Sequence, residues 1–301
     1  MGVVNKIIGV CRFSYLGDAG FETLKGGAEE AARQLYAPGR MQRRFAYFEN
    51  ICIPSLANQT DQDFVLVALI GDTMPFHFRK RLKRLADKHA FLRVVTLEAA
   101  GPLNSTRRAF RRGLDEEEAD FITGFRLDDD DAVACDYIEK TREISDNLIQ
   151  LGWAHADTPA AVCFHRGIYW DMKREDDPFW DYSEVMPLGL ASAMIAPPEA
   201  MANIYRWNHR KLAAHARCWI DPHDYMFVRT LHGHNDSDRS IPPRARQLPE
   251  WQARKLFRER FGLNPKRLLP MMRKLQEDGS GMARQLADEA RADLAGDGDG
   301  E

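Results

Sequence analysis

The sequence predicts an α/β fold: a mainly parallel central sheet with helices on its flanks, followed by a C-terminal helical extension. Three observations carry this. Short apolar runs alternate with amphipathic stretches over roughly the first half of the chain, the mark of successive βαβ units. The apolar runs are continuous rather than alternating, as expected of strands covered on both faces. Beyond Pro249 the pattern becomes helical and basic.

Lys6-Ile-Ile-Gly-Val-Cys11 reads as the first strand. The apolar run around it is short and lacks a small-residue cleavage site, so a signal peptide is not expected. Arg12-Phe-Ser14 follows, and an Arg there serves equally as an anion contact or a surface charge. Residues 17 to 40 hold five glycines and a proline and read as a long loop. Gln42 to Asn58 reads as one helix, with Phe45, Phe48, Cys52 and Leu56 on one face and a kink at Pro54. Phe64 to Ile70 is the clearest buried strand and ends in Gly71-Asp72. Pro75 opens a basic helix containing Leu82 and Leu85. Phe91 to Leu97 is a third strand, and Ser105 to Glu118 a helix carrying Arg107, Arg108, Arg111 and Arg112.

Phe121 to Leu127 is the fourth strand. It empties into Asp128-Asp129-Asp130-Asp131, at the sheet edge where open α/β folds bind ligands. Two unit charges about 4 Å apart repel by roughly 4 kcal/mol at an effective dielectric near 20. A divalent cation would relieve this, and Mg²⁺ commonly holds substrate phosphates as well. The same acids also suit a solvated turn or a helix N-cap. Asp136 to Leu151 is the next helix.

The second half is less regular. Ala160 to Phe164 and Gly167 to Trp170 read as strands, Met186 to Ile195 as another, and Glu199 to Ala216 as a helix. Trp170, Trp180 and Tyr182 suit either a core or a sugar-stacking surface. Trp219 to Asp224 reads as a polar turn and Tyr225 to Leu231 as a strand. That strand ends in His232-Gly-His234-Asn235-Asp-Ser237, a second apolar run that meets metal-competent side chains. Trp251 to Phe261 and Pro265 to Gln276 are basic helices. They can dock on the domain or rest on an anionic membrane. Residues 279–301 are small, acidic and glycine-rich, which predicts disorder.

The totals narrow the classes. The chain has 301 residues, of which 44% are hydrophobic and 29% charged, enough for one large domain with an appendage. A net charge of −3 gives no global attraction to nucleic acid. No apolar run reaches the ~20 residues needed to span a bilayer. The five cysteines are scattered without a CxxC pair, which argues against a zinc site or a disulfide framework and for a reducing cytoplasm. No GxGxxG follows a strand and no Walker A motif is present, so the dinucleotide and P-loop readings lose their support.

Three segments together resemble the nucleotide-sugar glycosyltransferases of GT-A architecture, the family-2-like enzymes in particular. They are Phe48-Glu to Gln59-Thr60 followed by the strand to Asp72, then Thr106-Arg-Arg-Ala-Phe-Arg-Arg-Gly113, then Ala119-Asp-Phe-Ile-Thr-Gly-Phe-Arg-Leu-Asp-Asp-Asp-Asp131. Order and spacing agree over roughly residues 5 to 140. A narrower resemblance, to about residue 240, is to a bacterial family of rhamnosyl transferases. It rests on Arg12-Phe-Ser14, Phe48-Glu with Pro54-Ser-Leu56, Arg126-Leu-Asp-Asp-Asp-Asp131 and His232-Gly-His-Asn-Asp-Ser237. The resemblance carries the reaction class; the sugar comes only from the family's name.

The resemblance implies a Rossmann-like GT-A domain over 1–240, with a nucleotide-sugar half over 1–135 and an acceptor half over 136–240. A basic helical extension over 241–278 follows. Arg12 and Asp72 would meet the donor, Asp72 at its base, and Arg107 or Arg108 would lie near the diphosphate or the base. Asp128 and Asp129 would face the donor ribose or sugar. Asp130, in a DXD motif, would hold Mg²⁺ or Mn²⁺, with His232 approaching the same ion or the phosphates. Two departures stand out. The usual pair of acids after the second strand is here Gly71-Asp72, and no aligned motif supplies the base for the acceptor. Asp221 and Asp224 are candidates for that base because they precede the strand leading to His232, and Glu184 is a third.

The expected activity is metal-dependent transfer of a sugar, rhamnose by the family name, from a nucleoside-diphosphate donor such as dTDP-rhamnose to a bacterial glycan or lipid-linked acceptor. The expected location is cytoplasmic, with peripheral contact at the inner membrane surface. The competing readings are a nucleotidyltransferase, a metal phosphohydrolase, or a non-catalytic nucleotide-sugar binder.

Overall fold

The computed structural model describes residues 2–17, 27–114, 118–155, 157–200, 203–232 and 240–277. The four N-terminal apolar runs form strands β1 (Asn5–Arg12), β2 (Val65–Gly71), β3 (Leu92–Leu97) and β4 (Phe121–Arg126). All four run parallel, in the order β3-β2-β1-β4. Their C-terminal ends therefore share one edge, and Arg12, Asp72 and Asp128 are delivered there together.

The connecting helices are α1 (Gly27–Leu35), α2 (Pro38–Tyr47), α3 (Ile53–Ala57), α4 (Phe76–Ala86) and α5 (Pro102–Leu114). The expected loop over 17–40 is thus corrected in part. Its glycines lie outside Ala28-Glu-Glu-Ala-Ala-Arg-Gln-Leu35, a run of strong helix formers that buries Ala31 and Leu35. The single kinked helix over 42–58 is also corrected. Between α2 and α3 the chain makes a wider π-type turn, Phe48–Cys52, in which Ile53 N–H donates to the Phe48 carbonyl. Pro54 has no N–H, and its ring would crowd the carbonyl four residues back; one wide turn removes that crowding without breaking the helix.

Directly after the acids comes β5 (Ala132–Val133), then α6 (Tyr137–Gln150). The chain continues through β6 (Ala160–Phe164), β7 (Arg166–Asp171), β8 (Phe179–Ser183), β9 (Ser192–Ala196), β10 (Arg217–Asp221), β11 (Phe227–Leu231) and β12 (Arg246–Gln247). It closes with α7 (Glu250–Arg260) and α8 (Pro265–Glu277), the expected C-terminal helices. Among the described residues the central sheet has the order β10-β6-β9-β4-β1-β2-β3, and β9 alone runs against the rest. A second sheet has the order β12-β8-β7-β11-β5.

Three expectations in the second half are corrected. The described residues of Glu199 to Ala216 do not form an α-helix; they hold turns and a short 3₁₀ segment, His209–Ala214. Asn203 and Asn208 each accept a backbone N–H two residues on, a local bond that competes with the helix ladder. The strand expected over 186–195 is confined to β9, because Pro187 and Gly189 keep the first part irregular. Residues 219–221, read as the start of a turn over 219–224, belong to the edge strand β10. The disorder expected over 279–301 lies outside the described residues.

The second sheet positions the acid loop. β11 pairs with β7 in parallel and with β5 antiparallel, matching Val228 to Ala132 and Phe227 to Val133. Gly167 on β7 makes the first pairing close: a Cβ there would stand 2.3 Å from the Phe227 ring. Because β5 begins where the acids end, the same register carries the end of β11 back alongside Asp130 and Asp131.

Candidate functional site

The acid loop is fastened to β11 by three bonds. Thr230 N–H donates to Asp131 Oδ1 (3.0 Å), Thr230 Oγ1 donates to the Asp130 carbonyl (2.9 Å), and His232 Nε2 lies 2.9 Å from Asp130 Oδ2. Asp130 and His232 are both buried, and Tyr47 of α2 stacks on the imidazole at 4.6 Å. The four carboxylates thus stand at the C-terminal edge of the sheet with the imidazole beside them.

Two arginines that the sequence reading gave no role supply the counter-charge. Arg126, last residue of β4, grips Asp128 through Nη2 (2.8 Å) and Nε (3.3 Å). Arg44, projecting from α2, bonds Asp129 Oδ1 and stands 3.7 Å from Asp130 Oδ2. The acids divide by environment. Burial opposes the charge on Asp128, but the Arg126 guanidinium outweighs it and the carboxyl titrates at about 2. On Asp130 burial likewise opposes the charge, and the bond to His232 and the field of Arg44 carry the carboxyl below its usual value. On Asp129 burial prevails over Arg44 and raises the carboxyl to about 7. Burial and the neighbouring carboxylates also raise Asp131 well above the usual carboxylate range. The surroundings therefore favour the charge most on alternate acids, Asp128 and Asp130.

Around them stands a cationic and aromatic rim. Tyr205 has Arg12 and Arg126 over its ring, each 5.3 Å from the centroid, and its hydroxyl donates to the Val10 carbonyl at 2.7 Å. Arg12 thereby reaches the field of Asp128. Ser14, in a left-handed turn with φ 51°, accepts from Arg40 at 2.9 Å. Arg229 of β11 lies against Tyr169 and within the fields of Asp131 and Glu184.

The other sequence candidates are placed as follows. Asp72 is exposed at the end of β2, two strands from β4 on the same edge. Asp129, expected to face the donor, is instead fully buried against Arg44. Arg108 is exposed on α5, whose buried face is Ser105, Thr106, Ala109, Phe110 and Gly113. Arg107 lines a small cavity with Ile122, Met194 and Asn203, behind the sheet rather than at its acid edge. Asp224 is ion-paired with Lys140 next to Asp136. Asp221 ends β10, three strands from β4, and accepts His223 N–H at 2.7 Å. Trp170 is core, packed on Phe179 and Phe257. Of the candidates, Asp130 and His232 are in contact and Arg12 and Asp128 adjoin them. One missed signal pointed to Arg126: only Leu127 separates it from the acid run. Arg44 and Tyr205 carried none.

The spacing of the donor pair fits a divalent cation. Ligands at about 2.1 Å on neighbouring octahedral positions lie about 3 Å apart, the separation of Asp130 Oδ2 and His232 Nε2. Among the described residues, no group of three or more His, Cys, Asp or Glu converges on one point. An ion held by this pair would fill its remaining positions with water and substrate phosphate oxygens.

A family model described as "Putative rhamnosyl transferase" matches residues 6–244. No curated protein sequence matches the chain. Among solved structures the chain is similar to S. aureus TarS 1-349 in complex with UDP-GlcNAc, at 14% identity and a TM-score of 0.40, covering 78% of this chain and 60% of that one. It is also similar to a "putative nucleotide-diphospho-sugar transferase" from Desulfovibrio desulfuricans G20, at 11% identity and a TM-score of 0.37, covering 94% and 98%. A third is GalNAc-T7 with UDP, GalNAc and Mn²⁺, at 8% identity and a TM-score of 0.37, covering 92% and 55%. The chain thus spans 60% of the TarS structure.

Proposed function

The chain belongs to the family described as "Putative rhamnosyl transferase", and from that membership we propose that it is a glycosyltransferase using a nucleoside-diphosphate sugar. The observation that carries the reading is the contact of Asp130 with His232 at the C-terminal edge of a mainly parallel sheet. A buried carboxylate oxygen and a buried imidazole nitrogen at that edge suit a phosphate-bound cation.

In this reading Asp130 and His232 would hold Mg²⁺ or Mn²⁺. Bound there, the ion would stabilise the charge that develops on the leaving diphosphate. Asp128, kept ionised and pinned by Arg126, orients the donor's ribose or sugar hydroxyls. Arg12, exposed at the end of β1 and held over Tyr205, adds positive charge at the same edge. Asp72 stands where the donor base would lie. The sugar is proposed as rhamnose on the family's name, delivered from a donor such as dTDP-rhamnose to a glycan or lipid-linked acceptor. We place the reaction on the cytoplasmic side, with the basic outer faces of α7 and α8 against the inner membrane surface. Among the described residues no helix is long and apolar enough to cross a membrane.

The test is a thermal-shift screen of nucleoside-diphosphate sugars with and without Mn²⁺, followed by product analysis. The expected result is Mn²⁺-dependent stabilisation by one donor class and release of a nucleoside diphosphate. Release of pyrophosphate or inorganic phosphate would instead identify a nucleotidyltransferase or a phosphohydrolase. Stabilisation without turnover on any acceptor would identify a binding protein.

A further inference from the structure

We propose that Glu184 is the general base that takes the proton of the acceptor hydroxyl. The proposal rests on the glycosyltransferase reading and assigns a step that the family resemblance leaves without a residue.

Place comes first. Glu184 follows β8 and is tied to His165, the residue after β6. Its N–H donates to the His165 carbonyl at 2.8 Å, and its own carbonyl accepts from His165 Nδ1 at 2.8 Å. His165 in turn donates its N–H to the Asp221 carbonyl at 2.8 Å. β6 runs in the same direction as β4, with β9 between them, so His165 and Glu184 stand at the edge that carries the acids. Two strand spacings separate β6 from β4, about 10 Å, which leaves room for one sugar ring between the Asp130–His232 pair and a base. From Glu184 the chain runs back along this edge. Gly189 lies against the Arg126 side chain, Leu190 bridges to Arg126, and Ala191 takes a left-handed φ of 54° before β9 begins. One segment therefore connects Glu184 to the arginine that holds Asp128.

Chemistry comes second. A base must be ionised yet keep a free lone pair. Asp181 is gripped by Arg166 through two bonds of 3.0 and 2.9 Å, Asp224 is paired with Lys140, and Asp221 closes its own turn. Glu184 takes a neutral donor, the Tyr169 hydroxyl, on Oε1. Tyr169 is itself fixed edge-on by Tyr182 and Phe227. Arg229 lies within its field, but among the described residues no direct ion pair neutralises the carboxylate, which is half-buried and borders the exposed Val185 and Met186. In the step, the acceptor oxygen bonds to the anomeric carbon as the bond from that carbon to the diphosphate oxygen breaks. The bonding pair leaves with the nucleoside diphosphate, and the proton passes from the acceptor hydroxyl to Glu184 and then to water.

The test uses the full chain and the nucleoside-diphosphate sugar that stabilises it in the thermal-shift screen, with water as the acceptor. Glu184→Gln still accepts from Tyr169, so the fold and the donor-induced thermal shift are expected to persist. Release of nucleoside diphosphate is expected to fall by about 10²–10⁴-fold, the usual range for a lost general base. Glu184→Asp should retain part of the rate, and the acidic limb of the wild-type pH–rate profile should vanish in Glu184→Gln. A Glu184→Gln enzyme that turns over within a few-fold of wild type, with its acidic limb intact, overturns the assignment while leaving the glycosyltransferase reading in place. A wild-type protein that releases no nucleoside diphosphate from any donor overturns both.

Discussion

His232 Nε2 and Asp130 Oδ2 stand 2.9 Å apart although 102 residues separate them in sequence. The contact is a consequence of register, since β5, which begins two residues after Asp130, pairs with β11, which ends next to His232. Asp130→Asn keeps an oxygen facing His232 and removes the charge. It is expected to leave the melting temperature nearly unchanged, to abolish the Mn²⁺-dependent part of donor-induced stabilisation, and to lower turnover by about 10²-fold or more, as for loss of a main electrostatic contact. Isothermal titration with Mn²⁺ and nucleotide, alongside a turnover assay, checks it. Wild-type turnover in Asp130→Asn would separate the pair from the chemistry.

Arg44 and Asp129 form a buried ion pair behind the site. Removing one partner of such a pair commonly costs about 3–5 kcal/mol, because a charge is left buried without compensation. Arg44→Met is expected to fall in that range, and Asp129→Asn to cost less because a neutral amide remains. The double variant should be more stable than the sum of the two predicts, with a coupling of about 0.5–3 kcal/mol. Urea unfolding of the four proteins closes the cycle. Strict additivity would show that the acid loop does not depend on Arg44.

Local pattern made the first half legible. Continuous apolar runs gave β1 to β4, and the acid run marked the end of β4. The resemblance drew Asp130 and His232 into one pocket. What stayed hidden depends on partners distant in sequence. Arg44 looked like one basic residue among several in Met41-Gln-Arg-Arg44, and only the packing of α2 against the loop aims it inward. β5 is two residues long and exists because β11 pairs with it, so no periodicity could reveal it. Arg107 and Arg108 misled for the opposite reason: a run of arginines on one helix says nothing of which face meets the sheet. The 3₁₀ segment at His209–Ala214 was concealed by helix-forming residues whose ladder is interrupted by asparagine side chains.

His209 opens that segment. Burial, reinforced by the positive charges of Arg126, Arg210 and Arg229 and opposed by Asp128, lowers its pKa to about 4. An unfolded histidine titrates near 6.5. Between those values the unfolded chain binds the proton and the folded chain does not, so stability falls as pH falls from about 6.5 towards 4 and is unaffected above. His209→Gln is expected to flatten this part of the stability–pH curve, leaving the carboxylate-driven loss at lower pH. An NMR titration placing the His209 midpoint at or above 6.5 would remove the basis for this expectation.

The C-terminal helices carry a charge unlike that of the rest of the chain. Residues 250–277 contain eight Lys or Arg and three Asp or Glu, in a protein of net charge −3. On α7, Trp251 is 70% exposed and shares a helical stripe with the exposed Lys255 and Arg258. On α8 the exposed stripe is Lys266, Arg267, Pro270, Arg273 and Lys274, opposite the buried Leu268, Leu269, Met272 and Leu275. An indole that reaches solvent among cations suits a headgroup interface. Co-sedimentation with vesicles containing phosphatidylglycerol should therefore exceed that with neutral vesicles and weaken with salt. Each basic residue near an anionic surface contributes about 1 kcal/mol, so Lys255→Gln with Arg258→Gln should reduce partitioning by roughly 30-fold. Trp251→Ala should weaken binding to both vesicle types, since the indole contributes apolar burial rather than charge. Partitioning that ignores both sets of substitutions would detach these helices from the membrane and leave the charge as a solvated face.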